Sequence, residues 1–377
     1  MHARDRRRTG RGAAWLVALA LIWTAASGVL APAAAECLRG ANAAGADFGV
    51  VPGEHGRTYF WPSRATFAYL RSKGMNVVRL PFRWEHLQPA LNRPFEPVEL
   101  ERLTTAVETA TGLGLTVILD PHNHAKYFGN VVGSPQVPRA AFVDLWRRLS
   151  ALYAGREDVI FLLMNEPIHV TARDWLGSVN AAIAAIRETG ADNLIMVPGT
   201  EWSAAVNWFT AQDGGSNAEV FTRVEDPLDH YAFDIHQYMD GNFSGTWEAC
   251  DRAEEALGFV SRVTDWLEET GNRGFLGEFG GHARPDCYRG LNAMVAHINS
   301  RPDVWIGWAI WAAGDAWGDY PLSIQPRDGK DRPQLVAIER QIPRRSAAAR
   351  ACPALARPGD RPEQRPEDPS AAGEGTQ

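Results

Sequence analysis

Two glutamates stand in short motifs whose residue types suit the breaking of a bond between sugars. Glu166 lies in NEP at 165–167, and Glu278 lies in GEFG at 277–280, directly after an apolar run. Two facing carboxylates are the minimum requirement for glycoside hydrolysis, because one protonates the leaving oxygen and the other attacks the anomeric carbon. The alternatives are a surface acid that caps a loop for Glu166 and a structural ion pair with Arg79 for Glu278.

The two motifs predict different roles for the two carboxyls. Arg79 ends another apolar run and would keep Glu278 ionised, as a nucleophile must be. Glu166 has no cationic residue in its own motif, which suits an acid that keeps its proton until the bond breaks. We therefore expect Glu278 to act as the nucleophile and Glu166 as the acid and then the base, with retention of configuration.

Several polar and aromatic side chains near these motifs are candidates for contact with a substrate. His236 and Tyr238 are two residues apart, so in a strand they share one face, where Tyr238 could donate to a carboxylate. An indole matches the C–H face of a sugar ring, so Trp311 is a candidate platform. Ordinary core packing is the alternative for each. The candidates for substrate binding or site support are Arg79, His122, Asn123, Asn165, Trp202, His236, Tyr238 and Trp311.

Tryptophan is frequent in the chain, with 14 residues against 8 Tyr. Trp202, Trp208, Trp247 and Trp317 follow predicted strands, in connecting loops or just beyond them. Each of these fits rim or core packing by itself. Together they suggest a cleft with several sugar-binding positions.

Short apolar runs alternate with helical periodicity over the central part of the chain. Predicted strands lie at 48–51, 76–80, 116–120, 159–164, 194–198, 232–235, 275–278 and 305–311, and predicted helices at 63–73, 100–112, 139–154, 171–189 and 258–269. Eight strands that alternate with helices predict an α/β fold, a single (β/α)8 TIM barrel. A doubly wound open sheet is the alternative, although no GxGxxG motif follows a strand.

The predicted barrel would bring the candidate residues together. Active sites of such barrels lie at the carboxyl ends of the strands. Arg79, Glu166, Glu278 and Trp311 lie at the ends of the second, fourth, seventh and eighth predicted strands. We therefore expect carboxylates, imidazoles, amides and aromatic rings to converge on one rim.

The two ends of the chain differ in composition from the predicted barrel. Residues 1–35 combine an arginine-rich start, an apolar run and a small-residue site, as a signal peptide does. An uncleaved membrane anchor is the alternative. Residues 357–377 are rich in proline and charge, which predicts a disordered tail. The catalytic domain is therefore predicted to span residues 36–356.

The four cysteines all lie in this predicted domain. An even count in an exported chain favours disulfides, and four cysteines allow three pairings. We favour Cys250 with Cys287, and Cys37 with Cys352, which would join the two ends of the domain. A zinc site is the alternative, but no closely spaced pair of ligands is present.

Composition restricts the partners of the protein. The chain has 377 residues and a formal net charge of -7, which does not suit a partner held through its phosphates. We expect a secreted, extracellular or periplasmic monomer that binds a polysaccharide; a resemblance to a known family, carried by the strings below, implies that this polysaccharide is a β-glucan. No cofactor, no metal, no nucleic acid and no membrane contact after removal of the signal peptide are expected.

Five sequence strings together resemble glycoside hydrolase family 5, in its endoglucanase (cellulase) branch. They are VVRLPF at 77–82, LLMNEP at 162–167, HQY at 236–238, GEFGG at 277–281 and the strand that ends in Trp311. The resemblance covers most of residues 40–326. One departure lies at 124–127, where HAKY stands in place of the aromatic and arginine found more often in related cellulases.

The resemblance implies a fold, an activity and a set of roles. It implies a secreted, metal-independent, retaining endo-β-1,4-glucanase with Glu166 as acid/base and Glu278 as nucleophile. It also implies that Arg79, His122, Asn165, His236, Tyr238 and Trp311 surround them. A β-mannanase or mixed-linkage glucanase with the same site remains an alternative.

Two functions of other classes also remain open. A metal-dependent barrel hydrolase could use His122 and His124, which would share a face of a strand. A glucan-binding protein without activity would have lost a carboxylate, but both are present. A serine hydrolase is disfavoured because the chain has no GxSxG motif.

Overall fold

Parallel strands close into a barrel in the computed structural model, which describes residues 36–342 and 352–356. Each strand pairs in parallel with its neighbours in chain order, and the first pairs with the last. Within the described residues, the eight barrel strands are β1 Leu38–Ala43, β2 Val77–Phe82, β3 Thr116–Pro121, β4 Val159–Leu162, β5 Ile195–Pro198, β6 Tyr231–His236, β7 Gly274–Glu278 and β8 Trp305–Ala313. The predicted (β/α)8 barrel is confirmed.

Helices connect the strands, and their sequences contain the expected start signals. Thr171 caps one helix by accepting a hydrogen bond from the backbone N–H of Asp174. Pro97 occupies the first turn of another helix, where its missing N–H has no cost. The helices are α1 Arg64–Ser72, α2 Trp84–Leu87, α3 Pro97–Thr111, α4 Arg139–Tyr153, α5 Ala172–Glu188, α6 Asn217–Val220, α7 Ala253–Glu269, α8 Pro285–Ser300 and α9 Pro333–Ile338.

The first barrel strand is not the one that the sequence predicted. The run at 48–51 is a loop above the barrel, where Phe48 packs edge-on against Trp317 and the Val50 side chain is 80% exposed. The strand is β1, which consists mainly of small residues. A Cβ atom added at Gly40 would lie 1.9 Å from the carbonyl oxygen of Val77, so this strand must approach β2 closely. The small residues that allow this approach also remove the apolar pattern that marks a strand.

The amino-terminal end of the barrel is closed by the two ends of the described chain. Cys37 forms a disulfide with Cys352, and the segment that follows packs with Leu38, Val77 and Ile118 in one apolar cluster. Cys250 and Cys287 form the second disulfide. The structure therefore joins the two pairs that the sequence favoured. A covalent link between residues 315 positions apart stabilises the fold by restricting the unfolded chain.

Two predictions concern segments that the structure does not describe. The signal peptide at 1–35 and the tail at 357–377 both lie outside the described residues. Among the residues that are described, no helix has the length and apolar character needed to cross a bilayer.

Candidate active site

Side chains from several strands meet at the carboxyl end of the barrel. Arg79 lies within β2, His236 and Glu278 are the last residues of β6 and β7, and Trp311 lies near the end of β8. Glu166 follows β4 by four residues. The structure thus brings together the residues that the sequence singled out, because parallel strands end at one rim.

Glu278 is a buried carboxylate with two strong donors. The Arg79 guanidinium lies 2.7 Å from its Oε1, and the Tyr238 hydroxyl donates to its Oε2 at 3.0 Å. Burial raises the pKa of Glu278 to about 7, even though the charges of His236 and Arg79 act in the opposite direction. The expected contact with Arg79 is present, but burial outweighs its effect on the pKa.

Glu166 differs from its sequence-based description in one respect. It has a cationic partner after all, since Nδ1 of His236 lies 2.8 Å from its Oε1. His124 approaches its other oxygen at 3.6 Å. Burial alone would raise the pKa of Glu166, but the hydrogen bond and charge of His236 outweigh it and lower that pKa. The motif of Glu166 contains no cationic residue, as the sequence shows, but His236 at the end of β6 supplies one in the fold.

The backbone at Glu166 adopts a conformation that side chains rarely take. Its φ is 42°, in the left-handed region that costs non-glycine residues free energy. Neighbouring backbone groups hold the segment: Asn165 N–H donates to the Pro121 carbonyl at 3.0 Å, and Trp202 N–H donates to the Pro167 carbonyl at 3.3 Å. The turn directs the carboxyl of Glu166 towards His236.

The two carboxyl groups lie close to each other. Oxygen atoms of Glu166 and Glu278 and a ring nitrogen of His236 all fall within 4.8 Å of one another. These oxygens lie closer together than the separation of about 6.5–9.5 Å at which inverting enzymes hold their two carboxyls to accommodate a catalytic water. The geometry suits attack on a sugar by one of the carboxylates.

Arg79 connects the residues beneath the pair. It is fully buried, and it donates to Asn42 at 2.7 Å and to Asn165 at 2.6 Å in addition to its contact with Glu278. Its guanidinium also lies 3.0 Å from Asp120. Burial alone would lower the pKa of Arg79, but the surrounding carboxylates raise it, so the group stays charged.

His122 and Asp120 orient the amide of Asn165. Asp120 lies 2.8 Å from Nδ1 of His122, and burial lowers the pKa of this histidine well below its ordinary value, so the ring is neutral. The carboxylate selects the tautomer with the proton on Nδ1. Nε2 then accepts a hydrogen bond from the Asn165 amide at 3.0 Å. The amide oxygen faces Arg79, and the side chain is held in one orientation.

Two residues that the sequence predicts to bind substrate, Asn123 and Trp202, differ in their exposure to the cleft. Asn123 is buried and supports the loop, since it accepts from the Trp84 N–H at 2.8 Å and donates to Glu85 at 2.5 Å. Trp202 lies beside the Glu166 turn and is 44% exposed, so its ring is open to a ligand. Asn123 therefore stabilises the loop beside the site, whereas the ring of Trp202 is available for contact with a substrate.

The aromatic side chains divide into rim and core. Trp311 stacks on His122 with ring centroids 5.6 Å apart, and its indole N–H donates to the Tyr320 hydroxyl at 3.2 Å. Trp317 packs edge-on against Trp311. Trp247 is 63% exposed, while Trp208 is completely buried among core rings. The suggested position of Trp208 on the cleft is therefore wrong.

The cluster of Glu166, His236 and Glu278 has the elements of a metal site but does not fit a cation. Among the described residues, these three offer ligand atoms that lie close enough together to share one ion. Both nitrogens of His236 face carboxylates, and its raised pKa keeps them protonated. The Arg79 guanidinium already contacts Glu278. Both nitrogens of His122 are also engaged, which disfavours the metal-dependent alternative.

The sequence reasoning missed several members of this site. Asn42, which orients Arg79, lies in the strand that was not recognised. Asp234 lies 3.0 Å from His236 and two residues before it, so the rule that links alternate residues of a strand would have found it. His124 lies 3.6 Å from Glu166, a contact that neither its possible role as a metal ligand nor its place in the 124–127 departure indicates.

Comparison with protein families supports the same chemistry. The family model described as cellulase, glycosyl hydrolase family 5, matches residues 41–314. Endo-beta-1,4-glucanase A of Emericella nidulans is 37% identical over 295 residues, which cover 77% of this chain and 87% of that protein. The family match includes the barrel strands that carry the candidate site.

Solved structures are similar to most of the chain. XacCel5A in complex with cellopentaose is 40% identical with a TM-score of 0.79, and the match covers 81% of this chain and 99% of that one. Endoglucanase Cel5A of Pseudomonas stutzeri in complex with cellobiose is 33% identical with a TM-score of 0.75, covering 84% and 95% of the two chains. Each of these relatives is similar over nearly its whole length.

Proposed function

The chain belongs to the cellulase family, glycosyl hydrolase family 5, and is a glycoside hydrolase; from this premise we propose that it is a secreted, retaining endo-β-1,4-glucanase. The names of the relatives support the substrate, since curated proteins 34–37% identical to it are called endo-β-1,4-glucanases. The presence of both carboxylates in one rim cluster supports activity over simple binding of a glucan.

The first step of the proposed reaction forms a bond to Glu278. Its carboxylate attacks the anomeric carbon, while Glu166 gives a proton to the departing glycosidic oxygen as the C–O bond breaks. Arg79 and Tyr238 donate to the attacking carboxylate and place it beneath the sugar. Trp311 stacks on His122 beside the pair and is 9% exposed, so a small part of its indole is open to that sugar.

The second step releases the sugar from Glu278. Glu166, now a carboxylate, takes a proton from water, and the water oxygen bonds to the anomeric carbon as the bond to Glu278 breaks. Glu278 returns as a carboxylate and the hydrogen-bonded Glu166–His236 pair regains its proton, so one water is consumed per cleavage. Every proton and bond is accounted for without a cofactor.

The single observation that carries the retaining mechanism is the separation of the carboxyls, with oxygens within 4.8 Å of each other. Two inversions at one carbon give the β-anomer as the first product from a β-linked glucan. Proton NMR of a fresh hydrolysate is therefore expected to show the β-anomeric signal first and the α-signal only after mutarotation. An initial burst of α-anomer would overturn the double displacement.

The substrate is tested with a panel of soluble polysaccharides. We expect a β-1,4-glucan to be cut internally, so that chain length falls quickly while reducing ends rise slowly. Mixed-linkage glucan, mannan and xyloglucan are the competing substrates, and faster cleavage of mannan would replace the proposal with a β-mannanase. The Glu166→Gln protein, purified in parallel, controls for contaminating hydrolases. Activity should persist in EDTA, because the carboxylates need no metal.

We also propose that the protein is exported from the cytoplasm. Two disulfides suit an oxidising compartment, and residues 1–35 have the three parts of a cleavable signal. We propose a monomer that acts outside the cytoplasm on a glucan chain, with no membrane contact after cleavage.

A further inference from the structure

A second buried carboxylate lies behind the candidate acid/base. Asp234 in β6 is fully buried, and its Oδ2 lies 3.0 Å from Nε2 of His236. The other nitrogen of this ring lies 2.8 Å from Oε1 of Glu166. Asp234, His236 and Glu166 thus form a continuous chain of hydrogen bonds that runs from the barrel interior to the cleft.

The surrounding backbone makes room for this carboxylate. A Cβ atom added at Gly277 would lie 1.9 Å from Oδ1 of Asp234, so the neighbouring strand requires a glycine there. The Ser203 hydroxyl donates to the backbone carbonyl of Asp234 at 2.5 Å and holds the strand in place. The position of the carboxylate beneath His236 is therefore built into two neighbouring elements.

We propose that Asp234 is a positioning residue that keeps one proton within the His236–Glu166 pair and thereby sets the alkaline limit of glycoside cleavage. This inference rests on the proposed function. With its Nε2 proton held by Asp234, the ring can present only Nδ1 to Glu166. When the shared proton is on Nδ1 the ring is an imidazolium, and when it is on Glu166 the ring is neutral and accepts through Nδ1.

The proton follows a balanced path. In the free protein burial lowers the pKa of His236, but Glu278 and Asp234 outweigh burial and raise it to about 10, so the shared proton rests on the ring. As negative charge develops on the departing oxygen, the proton moves from Nδ1 of His236 to Glu166, and Glu166 donates its proton to that oxygen, which leaves the ring neutral. In the second step Glu166 takes a proton from the attacking water, and Nδ1 of His236 regains one. If the pair loses its proton to solvent, Glu166 has nothing to donate.

The charges around His236 determine how firmly the proton is held. Carboxylates favour the charged ring and the guanidinium opposes it. Asp234 is the carboxylate nearest to Nε2, and replacing it with a neutral amide removes one negative charge next to the ring. The pair must then release its proton at lower pH. The groups that face His236, from its own strand and from those packed against it, are Asp234, Glu166, Glu278, Asp120 and Arg79.

The test compares Asp234→Asn with the wild type over a range of pH. The alkaline limb of kcat/KM on a soluble β-1,4-glucan is expected to move down by about 1–3 pH units, since one opposite charge at this distance has that effect. An aryl cellobioside with a dinitrophenolate leaving group needs no proton from Glu166. Its cleavage should therefore fall far less than glucan cleavage does in the variant, while KM for both substrates stays nearly unchanged.

Asp226→Asn is the matched control. The side chain of Asp226 is also inaccessible to solvent, and its partner is Arg187 at 2.8 Å, away from the site. Its neutralisation should lower stability without moving the alkaline limb. An unmoved limb in Asp234→Asn, or equal losses on the two substrates, would show that Asp234 has only a structural role.

A measurement on the wild type keeps the test independent of how the variant folds. In ¹⁵N NMR of histidine-labelled protein, His236 should stay doubly protonated up to the alkaline limit of activity, with its signals assigned from their loss in His236→Gln. A ring that is neutral at every pH would overturn the inference. If the wild type cleaves no β-glucan, the proposed function is wrong. The NMR titration then still measures the pH at which the His236 ring loses its proton.

Discussion

Replacing Glu278 with Gln is expected to abolish cleavage of β-1,4-glucan while the protein still folds and binds oligosaccharide. The amide cannot attack the anomeric carbon, so no glycosyl-enzyme can form. Its size and its contacts with Arg79 and Tyr238 are nearly preserved. The turnover rate should fall by several orders of magnitude, measured by reducing ends, while calorimetric binding of a cello-oligosaccharide stays close to the wild-type value.

Replacing Glu166 with Gln is expected to have a different signature. General acid catalysis contributes about 10²–10⁴-fold, so glucan cleavage should fall by that factor. An aryl glycoside with a good leaving group still forms the glycosyl-enzyme, because its departure needs no proton. The intermediate then accumulates because water lacks its base, which appears as a burst of released phenol. Near-normal activity on glucan in either purified variant would refute the assignment of the pair.

Replacing Arg79 with Met is expected to give the largest loss of stability. Arg79 is fully buried and contacts Asp120 and Glu278, and its removal leaves these carboxylates without their counter-charge. Breaking such a pair costs about 3–5 kcal/mol of unfolding free energy. Denaturant titration of the variant at neutral pH measures this loss. Activity should fall as well, because Glu278 would be protonated and could no longer attack.

The pH dependence of this loss of stability shows whether it comes from the missing positive charge or from missing packing contacts. Burial already raises the pKa values of Asp120 and Glu278 above their unfolded values, and Arg79 opposes this effect, so in the variant both folded-state pKa values would rise further. A raised carboxyl pKa gives stability at low pH that disappears as pH rises through the folded value. The difference in unfolding free energy between the wild type and Arg79→Met should therefore grow from acid to neutral pH. A deficit that is constant with pH would indicate lost packing instead.

A surface arginine supplies the matched control. Arg156 pairs with Glu108 at 2.7 Å and Asp158 at 2.8 Å, but its side chain is 33% exposed. Exposed ion pairs contribute about 0–1 kcal/mol, so Arg156→Met should change the unfolding free energy little and leave activity intact. An equal loss in the two variants would contradict the role given to Arg79.

Most barrel strands could be predicted because a strand covered on both faces is apolar along its length. Strands β2 to β8 each overlap a predicted run. Strand β1 could not be predicted in this way, since its close approach to β2 requires small residues that carry no apolar signal. Asn42 was missed for the same reason, although it holds Arg79.

The sequence by itself determined which chemical groups are present at the ends of the strands and in what order. Alternation of apolar runs and helical periods was sufficient to place Arg79, Glu166, His236 and Glu278 on one rim, because parallel strands in a barrel all end there. The two glutamates, their motifs and the family resemblance followed from local patterns alone.

The tertiary structure alone decided which of these groups touch and how they are charged. His236 meets Glu166 across 70 positions of the chain, and Arg79 meets Glu278 across 199, contacts that exist only when the barrel closes. Each pKa depends on burial and on every neighbouring charge, and neither can be read from a motif. Glu166 therefore gained a cationic partner that its own motif does not contain, and Glu278 gained a raised pKa in spite of Arg79.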